Sequence, residues 1–321
     1  MIPPQSMAEP QAAKLPPFHT VLKSREVEDP VNLWVHRPLA YAFVALIFRT
    51  PLTPNQVTVL ATLTGFVAAA CWFVGSPVLM VAGGIILWTS AILDGADGIL
   101  ARAKQLHSQF GRALDGSMDM VVAIVSVSAA FFHIYMQQRN IWHLILAVPA
   151  IGLTLPHIYL YDYYKESYLR MTRVGRGGEG QDVAYVTKWS EELKRDKAPF
   201  FYRFLVGNLL LAVVTGERGL VGFFNPGALR EGLDFNVTDE TAAIYRKHNY
   251  GPMQLWNVIS LAPHTYIMSI CGMMDRLDYY LWIRLVFMNV VFVVVTLWQR
   301  VATKNTNREL AERGLGPTPS A

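Results

Sequence analysis

The sequence predicts an all-α integral membrane protein with six transmembrane helices, an N-terminal interfacial amphipathic helix, and a long cytoplasmic insertion between spans four and five. Three observations predict it. Apolar residues make up 52% of the 321-residue chain and charged residues only 16%, with a mean hydropathy of +0.27, where soluble domains carry about 25% charge. The apolar residues fall in runs that approach the roughly 20 residues a bilayer-crossing helix requires. The basic residues collect between alternate runs, the asymmetry expected of cytoplasmic loops. This balance excludes an ordinary soluble enzyme. The net charge of +4 fits loops beside anionic lipid and gives no nucleic-acid partner. Cys71 and Cys271 both lie inside apolar runs, which leaves no disulfide framework and no Cys-based zinc site.

Residues 1–30 hold six prolines and no apolar core of signal-peptide length, so they read as a disordered head. From Val31 to Arg49 an apolar stretch has His36, Arg37 and Arg49 at its edges and suits a helix lying in the interface; Pro51 and Pro54 then break it. The spans expected are Asn55–Gly75, Val78–Leu100, Arg112–Met136, Ile141–Lys165, Met253–Met274 and Tyr279–Arg300. The short loops on one side carry only Arg139 and Arg276 as basic residues. On the other side the head to Pro54 has five Lys/Arg, the 102–112 turn three, the tail from Arg300 four, and the stretch from Lys165 to Pro252 thirteen. Both termini are therefore expected in the cytoplasm, the membrane being the inner one if the chain is bacterial. The membrane domain runs over 31–301, with 166–251 as its insertion and 302–321 as a cytoplasmic tail. Within the insertion, the apolar run Phe204–Thr215 is too short to span and reads as interfacial or re-entrant. Val174–Gly180, VGRGGEG, reads as a linker, lacking the lysine and serine of a Walker loop.

Chemistry concentrates at the cytoplasmic end of the second span, ILDGADGILARAKQLHSQFGRALDGSMDM. Asp94 and Asp97 are three apart and Asp115 and Asp119 four apart, so each pair projects from one helix face. Four carboxylates at the edge of hydrocarbon require positive charge among them. An all-oxygen cage of this kind suits Mg²⁺, Mn²⁺ or Ca²⁺ better than zinc. Two divalent ions would neutralise it and are a recurring device of phosphoryl transfer. Gly95, Gly98 and Gly111 leave room for a phosphate beside the backbone, and Arg102 is placed to bind a phosphate oxygen.

Asp94, Asp97-Gly98, Ala101-Arg102, Gly111, Asp115 and Asp119 reproduce D-x-x-D-G-x-x-A-R-x8-G-x3-D-x3-D, eight specified positions in 26 residues. The chain thereby resembles the CDP-alcohol phosphotransferases, also called CDP-alcohol phosphatidyltransferases, and TPNQVT at Thr53–Thr58 is similar to the family's first span. The resemblance implies a six-helix membrane fold, dimeric in many members, with a polar cavity open to the cytoplasm. It implies metal binding by Asp94, Asp97 and Asp115, with Asp119 beside the second metal as the base that deprotonates the acceptor. It places Gly98, Ala101, Arg102 and Gly111 in the CDP pocket. The expected reaction is metal-dependent, with two Mg²⁺ or Mn²⁺. The acceptor oxygen attacks the phosphorus distal to cytidine, CMP leaves, and a phosphodiester of phospholipid synthesis forms. The donor stays open between CDP-diacylglycerol and a CDP-linked polar head group of choline, ethanolamine or inositol type; the acceptor is a lipid or a polyol.

Other readings weigh less. A cation transporter also places carboxylates at a helix break, but it needs no Gly-Ala-Arg-Gly spacing, and no inverted repeat is visible. His157, Asp162 and Lys165, with Tyr161, near the end of the fourth span, are candidates for the acceptor pocket, although Tyr and Lys also serve as interface anchors. His107 reads as a solvated loop residue, and His264 as a cavity residue or helix contact. Arg170, Arg173, Arg176, Lys188, Lys194, Arg195 and Lys197 suit lipid phosphates.

Overall fold

The computed structural model describes residues 14–22, 24–106, 109–173, 183–230 and 237–315, and its regular structure there is entirely helical. His107, Arg176 with the rest of the VGRGGEG segment, and both chain ends lie outside the described residues. The helices are α1 (Arg37–Ile47), α2 (Pro54–Val74), α3 (Pro77–Ala103), α4 (Gln109–Gln138), α5 (Trp142–Thr172), α6 (Val183–Arg195), α7 (Phe200–Phe204), α8 (Leu211–Phe224), α9 (Asp239–Asn257), α10 (Leu261–Met273), α11 (Leu277–Trp282) and α12 (Met288–Glu312). Wider π turns precede α1 at Asn32–His36, join α7 to α8 at Leu205–Leu210, and join α11 to α12 at Ile283–Phe287. Among the described residues, six helices are long and apolar enough to cross a membrane: Pro54–Val74, Pro77–Ala103, Leu114–Gln138, Trp142–Thr172, Tyr202–Phe224 and Leu277–Glu312.

Local sequence sets the starts of the first two spans. Thr53 Oγ1 accepts from the Gln56 amide at 3.4 Å while Gln56 Oε1 accepts from the Thr53 amide at 2.9 Å, a capping box with Pro54 in the first turn. Ser76 Oγ caps α3 by accepting from the Leu79 amide at 3.4 Å, with Pro77 in the first turn. The fully buried Trp72 then ties the α2–α3 hairpin, its indole N–H donating to Met80 O at 3.2 Å. Thr58 early in α2 meets Asp97 late in α3, whereas His133 late in α4 lies 2.9 Å from Asp275 in the α10–α11 turn. The starts of α2 and α4 and the ends of α3 and α5 thus share one end of the bundle, the end that carries the aspartates.

The expected fifth span is broken in two. α9 ends at Asn257, residues 258–260 turn, and α10 resumes with Pro263 in its first turn, where proline's missing N–H does no harm. α9 packs on α12 through Asn249 to Thr306 (2.9 Å) and Trp256 to Gln299 (3.2 Å). α10 packs on α3 near Gly84 and reaches the opposite end of the bundle.

The run around Phe204–Thr215 departs from expectation in length, because the helix continues from Phe200 to Phe224 and reaches the length of a span. Both its ends nevertheless pack at the aspartate end. Leu205, Val206 and Leu210 cluster with Leu114, next to Asp115, and Asn225 bonds Tyr164 at 3.1 Å and Thr303 at 3.0 Å. Its contacts carry this helix across that end.

Two further features add to the sequence reading. Part of the head is ordered: Val27 is fully buried among Tyr168, Trp256 and Leu160, and Glu26 O accepts from Gln254 at 2.7 Å. The tail is helical to Glu312 and is pinned to α9 by Glu309 with Lys247 (2.8 Å) and His248 (2.7 Å).

Candidate active site

Asp94 and Asp97 leave α3 near its end, and Asp115 and Asp119 leave α4 near its start. Carboxylate oxygens of Asp94, Asp97 and Asp115 all lie within 4.8 Å of one another. Asp119 stands beside this trio, its carboxyl at hydrogen-bonding range of Asp94. Asp97 is the most enclosed, 5% exposed, and accepts a hydrogen bond from Thr58 Oγ1. Carboxylates this close cannot all be charged without a cation among them. The donor set is all oxygen, the set that hard divalent cations take, so the residues present fit the metals the motif implies.

A second layer comes from the N-terminal segment. Arg37, at the start of α1, donates from Nε to Glu28 Oε2 at 2.9 Å and from Nη1 to Gly95 O at 3.2 Å. A Cβ on residue 95 would lie 3.3 Å from that Nη1, so glycine there lets the guanidinium approach the helix between Asp94 and Asp97. Burial opposes the charge on Arg37, but the Glu28 carboxylate outweighs it and holds the pKa above the usual arginine value. His36, buried against the edge of Trp88 at 5.4 Å, is pushed down to about 4 by burial, with Arg37 adding to the effect. It is neutral at physiological pH.

A cavity of about 570 Å³ runs inward from the aspartates, with Asp94, Asp115, Asp119, Arg37, Asp162 and Lys165 on its wall. Lys165 bonds Asp162 at 2.6 Å and lies 4.8 Å above the Tyr161 ring. The structure therefore brings two of the three acceptor candidates to the cavity. His157 is not on its wall: it is fully buried behind it, 3.3 Å from Asn289 Oδ1 and packed on Phe292 at 4.7 Å. Gly98, Ala101 and Arg102 follow Asp97 toward the α3–α4 turn and Gly111 precedes Asp115, all outside the cavity wall. There the Arg102 guanidinium sits above Gly98 and donates to the Val21 carbonyl.

Sequence reading missed the roles of Thr58, Arg37 and Glu28. Thr58 belongs to the TPNQVT stretch, whose position four residues past the Pro54 start faces α3. Arg37 sat in view as an interfacial charge, but its partner Glu28 lay in the segment read as disordered. No spacing rule links either residue to Gly95.

The family model for CDP-alcohol phosphatidyltransferase matches residues 51–221, more than half of the chain and all four aspartates. Among curated proteins, the chain is 43% identical over 83 residues to a bifunctional IPC transferase and DIPP synthase of Aquifex aeolicus, covering 26% of this chain and 18% of that protein. It is 40% identical over 68 residues to an archaetidylinositol phosphate synthase of Pyrococcus horikoshii (21% and 35% covered). It is 34% identical over 87 residues to a phosphatidylinositol phosphate synthase of Mycobacteroides abscessus (27% and 37% covered). The matched stretches thus span well under half the length of these relatives. With the aspartate set complete and the family model covering it, the chain belongs to the CDP-alcohol phosphatidyltransferase family and is a transferase.

Proposed function

We propose that this membrane transferase moves a substituted phosphoryl group from a CDP-alcohol to an acceptor hydroxyl, with release of CMP, at the aspartate end of the bundle. The observation that carries the reading is the convergence of Asp94, Asp97 and Asp115 within 4.8 Å, with Asp119 beside them, at the head of a cavity. These carboxylates would hold divalent cations, Mg²⁺ or Mn²⁺, which when bound neutralise the diphosphate and the charge that develops on it. Asp119 takes the proton from the acceptor hydroxyl. The acceptor oxygen then forms a bond to the phosphorus distal to cytidine, the bond from that phosphorus to the bridging oxygen breaks, and CMP carries that oxygen away. Arg37 adds a fixed positive charge beside Asp94, and Arg102 a second one toward the nucleotide side.

The relatives named for inositol phosphate lipids favour a phosphorylated polyol as acceptor. Lys165 and Arg170 on the cavity wall would suit its phosphate, with Asp162 orienting Lys165. The test is CMP release by detergent-purified protein with Mg²⁺ or Mn²⁺, crossing CDP-diacylglycerol and CDP-linked polar alcohols against lipid, polyol and polyol-phosphate acceptors. Release should require one donor and one acceptor and vanish in Asp115→Asn. Release that persists in Asp115→Asn would refute the assignment of the site.

A further inference from the structure

The cavity has a second polar end that the transfer chemistry does not use. At its inner limit it is lined by Arg284, Tyr280, His264, Thr154 and Ser126. Arg284 is 5% exposed. Its described partners are neutral: Nε donates to Ala150 O at 2.9 Å and Nη1 to the Tyr280 hydroxyl at 2.6 Å. Tyr280 Oη also lies 3.2 Å from His264 Nδ1. That oxygen accepts from Arg284, and in the tautomer in which its own proton is donated to His264 Nδ1 the ring carries its hydrogen on Nε2. That Nε2 is buried without a partner, as is the Ser126 hydroxyl. A cation beside two unpartnered polar groups that can both donate, His264 Nε2 and the Ser126 hydroxyl, is costly inside an apolar bundle unless an acceptor fills the space between them.

Backbone geometry points the same way. Arg284 sits in the Ile283–Phe287 π turn, where Asn289 Nδ2 bonds the carbonyls of Arg284 and Leu285 at 3.1 and 3.0 Å. Such turns recur at functional sites because they re-aim one side chain. The wall between the two polar ends is apolar, with Val122, Ile151, Leu155 and Ile158, and Ile124 lines the cavity while remaining 42% exposed. Ser126 lies seven residues beyond Asp119 on α4, about 10 Å at 1.5 Å per residue. A glycerol backbone and the reach of an arginine side chain together cover that separation.

We propose that this inner end, with Arg284 and Tyr280 at its centre, binds the ester carbonyl oxygens of a lipid substrate whose reacting group sits at the aspartates and whose chains leave past Ile124. The proposal rests on the transferase reading above and deepens it by naming an ester-linked lipid as one substrate. The test compares turnover of CDP-diacylglycerol with that of its ether-linked dialkyl analogue of equal chain length, or of the matching ester and ether diradylglycerols if the lipid proves to be the acceptor. Wild-type protein should prefer the ester by about tenfold in kcat/KM, the value of one charge-assisted hydrogen bond. Arg284→Gln should bring that ratio close to one, and Tyr280→Phe, which keeps the ring and its packing, should lower it partway. A wild-type ratio of one, or variants that slow both lipids equally, would overturn the proposal. CMP release from wholly soluble donor–acceptor pairs, with no lipid accepted, would overturn it while leaving the transferase intact. Absence of release with every CDP-alcohol would remove both.

Discussion

Among the four carboxyls, Asp119 is the one set beside the oxygen trio rather than in it, so its loss separates binding from turnover. Asp119→Asn should fold, retain CDP-alcohol binding by calorimetry, and release CMP at least a hundredfold more slowly, the usual order for a positioned base. Normal turnover in that variant would take Asp119 out of the proton-transfer role. Arg37 acts through place and charge: Arg37→Gln leaves Glu28 buried without its partner and uncovers Gly95 O. It should raise KM for the CDP-alcohol about tenfold, while Arg37→Lys, which keeps the charge but loses the fork, should recover only part of it. His36 gives a pH signature. Its folded pKa of about 4 lies below the ordinary value, so between about pH 6.5 and pH 4 the unfolded chain binds more protons and stability falls as pH falls. The melting temperature should drop more between pH 7 and about pH 5 in wild type than in His36→Gln. Equal drops would show that His36 is not held neutral. The aspartates were legible because their spacing, three and four, is also the geometry of the site. Arg37 was not, because its meaning depends on a contact across 58 positions to Gly95.

Helix boundaries show how far local signals reach. Thr53-Pro54 and Ser76-Pro77 announce the starts of α2 and α3 in the sequence and are found there, since caps are local chemistry. The expected fifth span, Met253–Met274, is not among the span-length helices, because α9 ends at Asn257 and α10 starts afresh at Leu261; the break was not legible, since Pro263 is compatible with either a kink or a fresh first turn. Phe204–Thr215 was legible as a helix that need not cross, yet its full length was hidden by Glu217 and Arg218, which interrupt the apolar run while continuing the helix. Packing of α10 on α3 is close enough to test: a Cβ on Gly84 would come within 2.6 Å of Ser269 O. Gly84→Val should therefore force the helices apart, cost about 1–3 kcal/mol, and lower the melting temperature in detergent. An unchanged melting temperature would mean that α10 shifts freely.

At the scale of the whole molecule, four crowded carboxyls make the apo protein self-repelling at one end. Mg²⁺ or Mn²⁺ should raise the melting temperature and restore CMP release after chelation, and Asp97→Asn should blunt both effects. A metal-independent melting curve would separate the cluster from cation binding. The outline of this architecture was readable in composition and basic-residue placement, which report on the bilayer. The wall of the cavity was not, since helices far apart in sequence build it together. Its N-terminal part has a consequence for biosynthesis. Glu26 is joined to Gln254 across 228 positions, and Val27 is buried against Trp256 and Tyr168. The segment around Glu26 and Val27 must therefore wait at the membrane surface until α9, made more than two hundred residues later, emerges from the ribosome. A nascent chain stalled before that point holds all four aspartates of the site yet leaves one side of its cavity unsealed, so the reaction chamber closes only after α9 and the helices that follow it are made.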